Sequence, residues 1–259
     1  VEKYKDTAGI MQQYLFFRVR EDADKRAVLE MKSEVGEKAA SKTSFKEEMT
    51  EKIDKQTKRK NEISPENNSL EENRLEKNSK VKYTIIDIGG KTSISNYYSN
   101  IIGENADNDL KSIYLGIGEQ RKDINYIAEL RGTKTNIDID VQGALKDSAK
   151  KNFKGTIDFK KGSKKAKGNE NEYCMLLSDK AKSIALPMLL CTEEDVEGNH
   201  STASGKVDEK QLFYIMTRGI SYKEAVKLIV KSKFNKIIER ILDEKLKNEI
   251  LSEIDKRLD

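Results

Sequence analysis

"NIDIDVQGALKDSAKKNFKGTIDF", residues 136–159, decides the fold. In its first six residues Ile137, Ile139 and Val141 alternate with Asp138 and Asp140. In its last eight, Phe153, Gly155, Ile157 and Phe159 fall on one side. Alternation with a period of two is the mark of a strand with one dry and one wet face. The link between the two runs is too short for a helix, so these strands are not joined by helical crossovers.

The same cadence extends in both directions. From Val81 the runs "VKYTIIDI", "TSISNYYS", "KSIYLGIG" and "DINYIAEL" precede it, and "YCMLL" and "ALPMLLC" follow. Successive runs start roughly 11 to 19 residues apart, which argues against a doubly wound parallel sheet. An antiparallel sandwich or barrel and a β-solenoid both remain. Tight Asn-Gly hairpin turns are scarce, which favours the solenoid. Upstream, "YLFFRVREDADKRAVLEMKSE" (14–34) reads as two strands around a turn at Glu21–Asp24. Residues 38–80 are polar. Ser44 and Glu47 fit a capping box before Phe45, Met49 and Ile53, predicting a short exposed helix, and 61–74 reads as loop or disorder.

After Lys206 the period changes to that of helices. Asp208 caps a helix expected to run through Arg218, with Gly219 closing it. Leu212, Phe213, Ile215 and Met216 on that helix read mostly as core, with a partner surface as the second use. Ser221 and Glu224 form a capping box for a second helix. Asp243 caps a third, on which Leu246, Ile250, Ile254 and Leu258 make one stripe. Three regions follow: a divergent 1–80, a β core over 81–206 and a helical domain over 207–259.

Composition bounds the function. Of 259 residues 36% are hydrophobic and 36% charged, which suits a narrow core column under a large solvated surface. A net charge of +4, dispersed along the chain, does not point to nucleic acid. No apolar run approaches the ~20 residues of a membrane span. No signal peptide is visible, and two cysteines make no disulfide framework, so a reducing cytoplasm is the expected compartment. The chain opens on Val1 rather than Met, as a fragment would.

Chemical motifs are few. "IIDIGGKTS" (85–93) imitates a phosphate loop, but Ile85 stands where the pattern needs glycine, so a strand end with a turn is expected and no nucleotide. "GIGEQR" (116–121) is only a G-x-G. One histidine, His200, excludes two-histidine zinc motifs. Ser201, Ser204 and Asp195 lie near it without a nucleophile elbow. Cys174 and Cys191, seventeen residues apart, would stand roughly 5–10 Å apart if that were one coil. They read as soft ligands or as buried small hydrophobes. His200 reads as a ligand near the same edge or as a turn histidine bonding backbone. Glu197 and its acidic neighbours offer carboxylates or form a solvated turn.

"EDVEGNHSTASGKVDEKQLFYIMTRGISYKEAVKLIV" (194–230) resembles the C-terminal signature of the SufB/SufD family of iron–sulfur cluster assembly proteins. The matching residues are Asp195–Val196, His200, Ser201–Gly205, Lys206, Asp208–Glu209, Gln211–Tyr214, Arg218–Gly219 and Glu224–Ala225. The resemblance covers about 81–259. It implies a right-handed parallel β-helix followed by a small helical domain, and a scaffold rather than an enzyme. It implies a transient iron–sulfur cluster, a SufC-type ATPase, a SufB/SufD paralogue or second copy as pairing partner, and apoprotein acceptors. His200 falls on the family histidine at the pairing junction. Gln211, Leu212, Phe213, Tyr214, Arg218 and Gly219 fall on the ATPase-docking helices. Ser201 stands where SufB has glutamate. The SufB cysteine position falls on Glu172, with Cys174 two residues later and facing the same way. Both departures favour a SufD-like member. The family's N-terminal region is longer than what precedes Val81. A metal-free solenoid interaction module and a polysaccharide-acting β-helix enzyme are the competing readings. The enzyme is disfavoured by 7% aromatics and no Trp.

Overall fold

The computed structural model describes residues 11–22, 25–30 and 67–259, with side chains from residue 71 on. Among the described residues twelve strands form two sheets. One has the order β12-β10-β8-β6-β4-β1-β2 and the other β11-β9-β7-β5-β3. In the first lie β1 (Met11–Asp22), β2 (Lys25–Glu30), β4 (Lys80–Ile88), β6 (Asp107–Gly116), β8 (Asn136–Leu145), β10 (Ala166–Leu176) and β12 (Val196–Lys206). In the second lie β3 (Asn67–Leu75), β5 (Thr92–Ile101), β7 (Arg121–Leu130), β9 (Lys150–Phe159) and β11 (Lys182–Cys191).

From β3 onward, consecutive strands alternate between the sheets and every pairing within a sheet is parallel. That is a parallel β-solenoid of about five turns. The register repeats at 29 residues from Asp107 to Asn136 and at 31 from Asn136 to Lys167. A coil is therefore two strands, and the sequence cadence of 11 to 19 residues marks half of one. The expected loop over 61–74 is a strand from Asn67. Among its described side chains Glu71 and Asn73 share the inward row with Leu75, so its alternation carries little hydrophobic signal. β1 and β2 form the expected antiparallel pair, with β1 also parallel to β4. Turn residues 23–24 and the helix expected after Ser44 lie outside the described residues.

The interior column is built by stacking like on like. Tyr83, Tyr97, Tyr126 and Phe153 form an aromatic ladder with centroids 5.2, 6.1 and 6.0 Å apart, a spacing at which tilted and edge-on rings attract. Leu110, Ile137, Ile139 and Val141 are fully buried beside it.

Three helices follow: α1 (Glu209–Met216), α2 (Tyr222–Ile238) and α3 (Glu244–Leu258). Asp208, Ser221 and Asp243 cap them as their sequences predict. α1 stops at Met216, short of Arg218, and Gly219 takes the left-handed φ of 86° beyond it. The α3 stripe packs with α2 on the outer side of the first sheet, where Ile86, Ile113, Leu115, Ala144 and Met175 replace the polar residues a solvated face would carry. Arg240 clamps the contact with two bonds to Asp109, at 3.1 and 2.8 Å. Among the described residues no helix is long and apolar enough to cross a membrane.

Candidate functional site

The solenoid ends in an open coil. β11 and β12 are the edge strands of their sheets, each paired on one side only. β12 lies in register on β10, so Val196, Gly198, His200, Thr202 and Ser204 stand over Ala166, Gly168, Glu170, Glu172 and Cys174. The β10 residues of that row are all buried while those between them are more open. They face the interior, and their register partners on β12 share that face. His200 is thus a mid-strand residue on the inward face of the last strand. It is exposed, and among the described residues no strand is paired above it. It is not a turn histidine.

Beneath it the interior turns polar. "GNENEY" puts two glutamates into the core, and glycines on neighbouring strands make room for them. A Cβ on Gly143 would lie 1.8 Å from the Tyr114 ring. Its absence lets that ring rise past β8 and its hydroxyl donate to Glu172 Oε1 at 2.8 Å. Lys151 Nζ donates to the same oxygen at 2.8 Å, in a pair with side chains 0% and 1% exposed. The ammonium also sits 5.8 and 5.6 Å from the Tyr114 and Phe153 ring centres. Burial pushes the Cys174 thiol up, against the lowering effect of hydrogen bonding with Tyr114 and of the Lys151 charge. Cys174 and Glu172 face the same way, as their spacing predicts.

Glu170 is different. It is 0% exposed, and among the described residues neither carboxylate oxygen has a hydrogen-bond partner. Its carboxyl fills the space left by Gly155 on the opposite sheet, where a Cβ would stand 2.0 Å from Oε2. Burial, and then the Glu172 charge, push its pKa up to about 7. A second inner ion pair, deeper in the column, has its donors matched: Lys122 Nζ reaches Asp87 at 2.7 Å and Gly89 O at 2.6 Å.

Several expected groupings do not form. Cys191 is exposed at the far end of β11, on the other sheet from buried Cys174. The half-coil between them puts them about 25 Å apart along the strands. Glu197 points to the outer face and pairs with Lys167 at 2.9 Å, away from the inward row of His200. Ser201 bonds Asn171 on that outer face while Ser204 lies inward, so no hydrolytic triad assembles. The glycines of "IIDIGGKTS" lead into strand β5, not a helix, so no phosphate cradle forms. Among the described residues no three His, Cys, Asp or Glu side chains gather closely enough to hold a metal ion.

Two apolar surfaces flank the site. On β11 Ile184, Leu186, Met188 and Leu190 face outward and are about half exposed. On α1 only Leu212 is buried, and Phe213, Tyr214 and Met216 are exposed rather than core. α1 is short and meets the body along one narrow side. Tyr214 accepts from Arg218, whose guanidinium also covers its ring. Gln211 and Gly219 lie exposed beside them.

Sequence reading missed Glu170, Lys151 and Tyr114. The available signal was the period of two running from Ala166 through Gly168 to Cys174, which carries Glu170 and Glu172 inward.

Residues 54–233 match the family described as "SUF system FeS cluster assembly, SufBD core domain". The chain is 29% identical over 182 residues to the iron–sulfur cluster assembly protein SufD of Bacillus subtilis, covering 70% of this chain and 42% of that protein. It is 32% identical over 151 residues to an iron–sulfur cluster assembly SufBD family protein of Pyrococcus horikoshii, covering 57% of this chain and 33% of that one. It is 28% identical over 114 residues to Escherichia coli SufD, covering 44% and 27%. The chain spans less than half the length of these relatives.

Proposed function

The chain belongs to the SufBD core family of the SUF iron–sulfur cluster assembly system, on the SufD-like side, and from that premise we propose that it is a scaffold subunit on which a cluster is built as transient cargo. The open coil at β11 and β12 pairs with a SufB/SufD paralogue or a second copy. The exposed face of α1, with Phe213, Tyr214 and Arg218, docks a SufC-type ATPase. The chain itself binds no nucleotide, performs no catalysis, works in the cytoplasm away from nucleic acid and membrane, and hands its cargo to apoproteins.

One observation carries this reading. The lone imidazole stands on the inward face of a terminal strand paired on one side only, directly over a row of buried carboxylates and a thiol. A rigid coil fixes such ligands while leaving one side open to a partner, which suits a cluster that must be assembled and then released. Imidazole and thiolate suit iron, and carboxylate suits the harder ferrous ion before sulfide arrives. Cys174 is buried in the same inward row as Glu170 and Glu172. His200 is the group a partner chain meets first.

Anaerobic reconstitution of the complete complex carrying His200→Ala tests the proposal. Cluster absorbance should fall at least tenfold while the subunits still co-purify. Undiminished assembly removes His200 from the function.

A further inference from the structure

Resting on the proposed function, the geometry points to Glu170 as the partner of His200 in a divalent-cation site: we propose that these two side chains are the ligands by which this chain takes up ferrous iron at the open end of the solenoid.

One inward carboxyl takes no part in the hydrogen bonding of the described fold. Glu170 is fully buried, and among the described residues no donor reaches either oxygen. The cations inside the column are already engaged, Lys151 with Glu172 and Lys122 with Asp87. A buried carboxyl without a donor costs stability, and a glutamine or leucine there would be cheaper. Yet the fold makes room for it: Gly155 leaves the space its carboxyl fills. A second unsatisfied oxygen, Oε2 of Glu172, lies two residues along the same inward face. Three bare carboxylate oxygens therefore sit under the rim of an open coil.

The group above them is His200. It is the register neighbour of Glu170 across one strand spacing, about 4.8 Å between backbones. Among the described residues no strand is paired on the far side of β12. An imidazole nitrogen and a carboxylate oxygen are the mixed donor set that suits a first-row divalent ion such as ferrous iron. Two protein ligands leave positions free for water, sulfide or a partner's groups, as uptake and release of a cargo require.

Cobalt(II) is the probe, titrated into the full chain and followed by visible absorption and equilibrium dialysis. The chain holds one histidine, so its imidazole NMR signals need no assignment. The unaltered chain should bind one cobalt, with those signals shifted by the paramagnetic ion. Glu170→Gln keeps shape and removes charge, and should weaken binding at least tenfold and leave the imidazole signals in place. His200→Ala should weaken binding similarly. Cobalt binding unchanged in Glu170→Gln, or no binding by the unaltered chain at millimolar cobalt, overturns the proposal. The two readings fail separately. Normal cobalt binding by Glu170→Gln with lost assembly in His200→Ala sinks the Glu170 site alone. Undiminished assembly in His200→Ala with cobalt bound as above sinks the scaffold role of the imidazole and leaves the site.

Discussion

Glu170 carries a folded-state pKa of about 7 against an ordinary value of 4.5, and the sign of its effect on stability follows. The folded chain holds a proton that the unfolded chain releases. The stability this group contributes is fully present below about pH 4.5 and is lost as pH rises through 7, of the order of 3 kcal/mol in all. Glu170→Gln has no such dependence. Urea midpoints of the two chains should therefore diverge between pH 5 and 8, the glutamine variant becoming the more stable by roughly 2 kcal/mol over that span. A constant gap would mean that the carboxyl is solvated. Lys151 is the opposite case. Its pair with Glu172 is buried on both sides, so Lys151→Met strands a charge and should cost about 3–5 kcal/mol. Adding Glu172→Gln should recover part of that loss. If the double variant is no better than the single one, Lys151 acts through packing and not through charge.

At the level of elements, much of the solenoid was legible and its pairing was not. "NIDIDV" and "NFKGTIDF" announce strands because every inward residue is apolar or glycine. "GNENEY" and "NNSLEENRL" do not, because their inward rows carry Glu170 and Glu172 in one and Asn73 in the other. Polar residues on both faces erase the alternation on which the reading depends. Strand spacing also hid the coil length. Neighbours in sequence lie on opposite sheets, and the residue above any given one comes about 30 positions later. That is why Cys174 and Cys191 were expected side by side and Glu170 was not linked to His200. The helices were read well, since caps and stripes are local.

The turns show the same long repeat. Asn78, Asn105, Lys134 and Lys165 all take φ between 55° and 59°. Each donates its amide to the next coil, at Glu104, Thr133, Lys164 and Asp195. Asn105 also donates its side chain to Asn78 at 3.0 Å. Lysine pays a left-handed penalty that asparagine largely avoids. Lys134→Asn should extend the asparagine ladder and stabilise the chain by about 0.5–1 kcal/mol. A lower urea midpoint for this variant would show that the Lys134 contact with Glu104, at 3.8 Å, outweighs the backbone strain.

For the whole molecule, the question is why one end is unfinished. Sheet outer faces below β11 carry Asn125, Asn152 and Lys154, as a solvated surface should. In β11 the equivalent row is Ile184, Leu186, Met188 and Leu190, each 46–53% exposed. The adjoining edges of β11 and β12 offer unpaired backbone groups, a combination that aggregates unless something covers it. Under the proposed function a paired subunit covers it, whereas the ATPase uses α1 on the helical tail. The two surfaces should then be separable. Leu186→Glu with Met188→Glu replaces outward side chains only, so the circular dichroism spectrum should not change. The same pair should weaken pairing with the paralogue or a second copy at least tenfold by size-exclusion light scattering and leave ATPase capture intact. Phe213→Glu should do the reverse. If both sets of substitutions disturb both contacts, the two surfaces form one continuous interface. If neither disturbs pairing, the apolar row serves some other contact, and the placement of His200 at a subunit junction loses its physical basis.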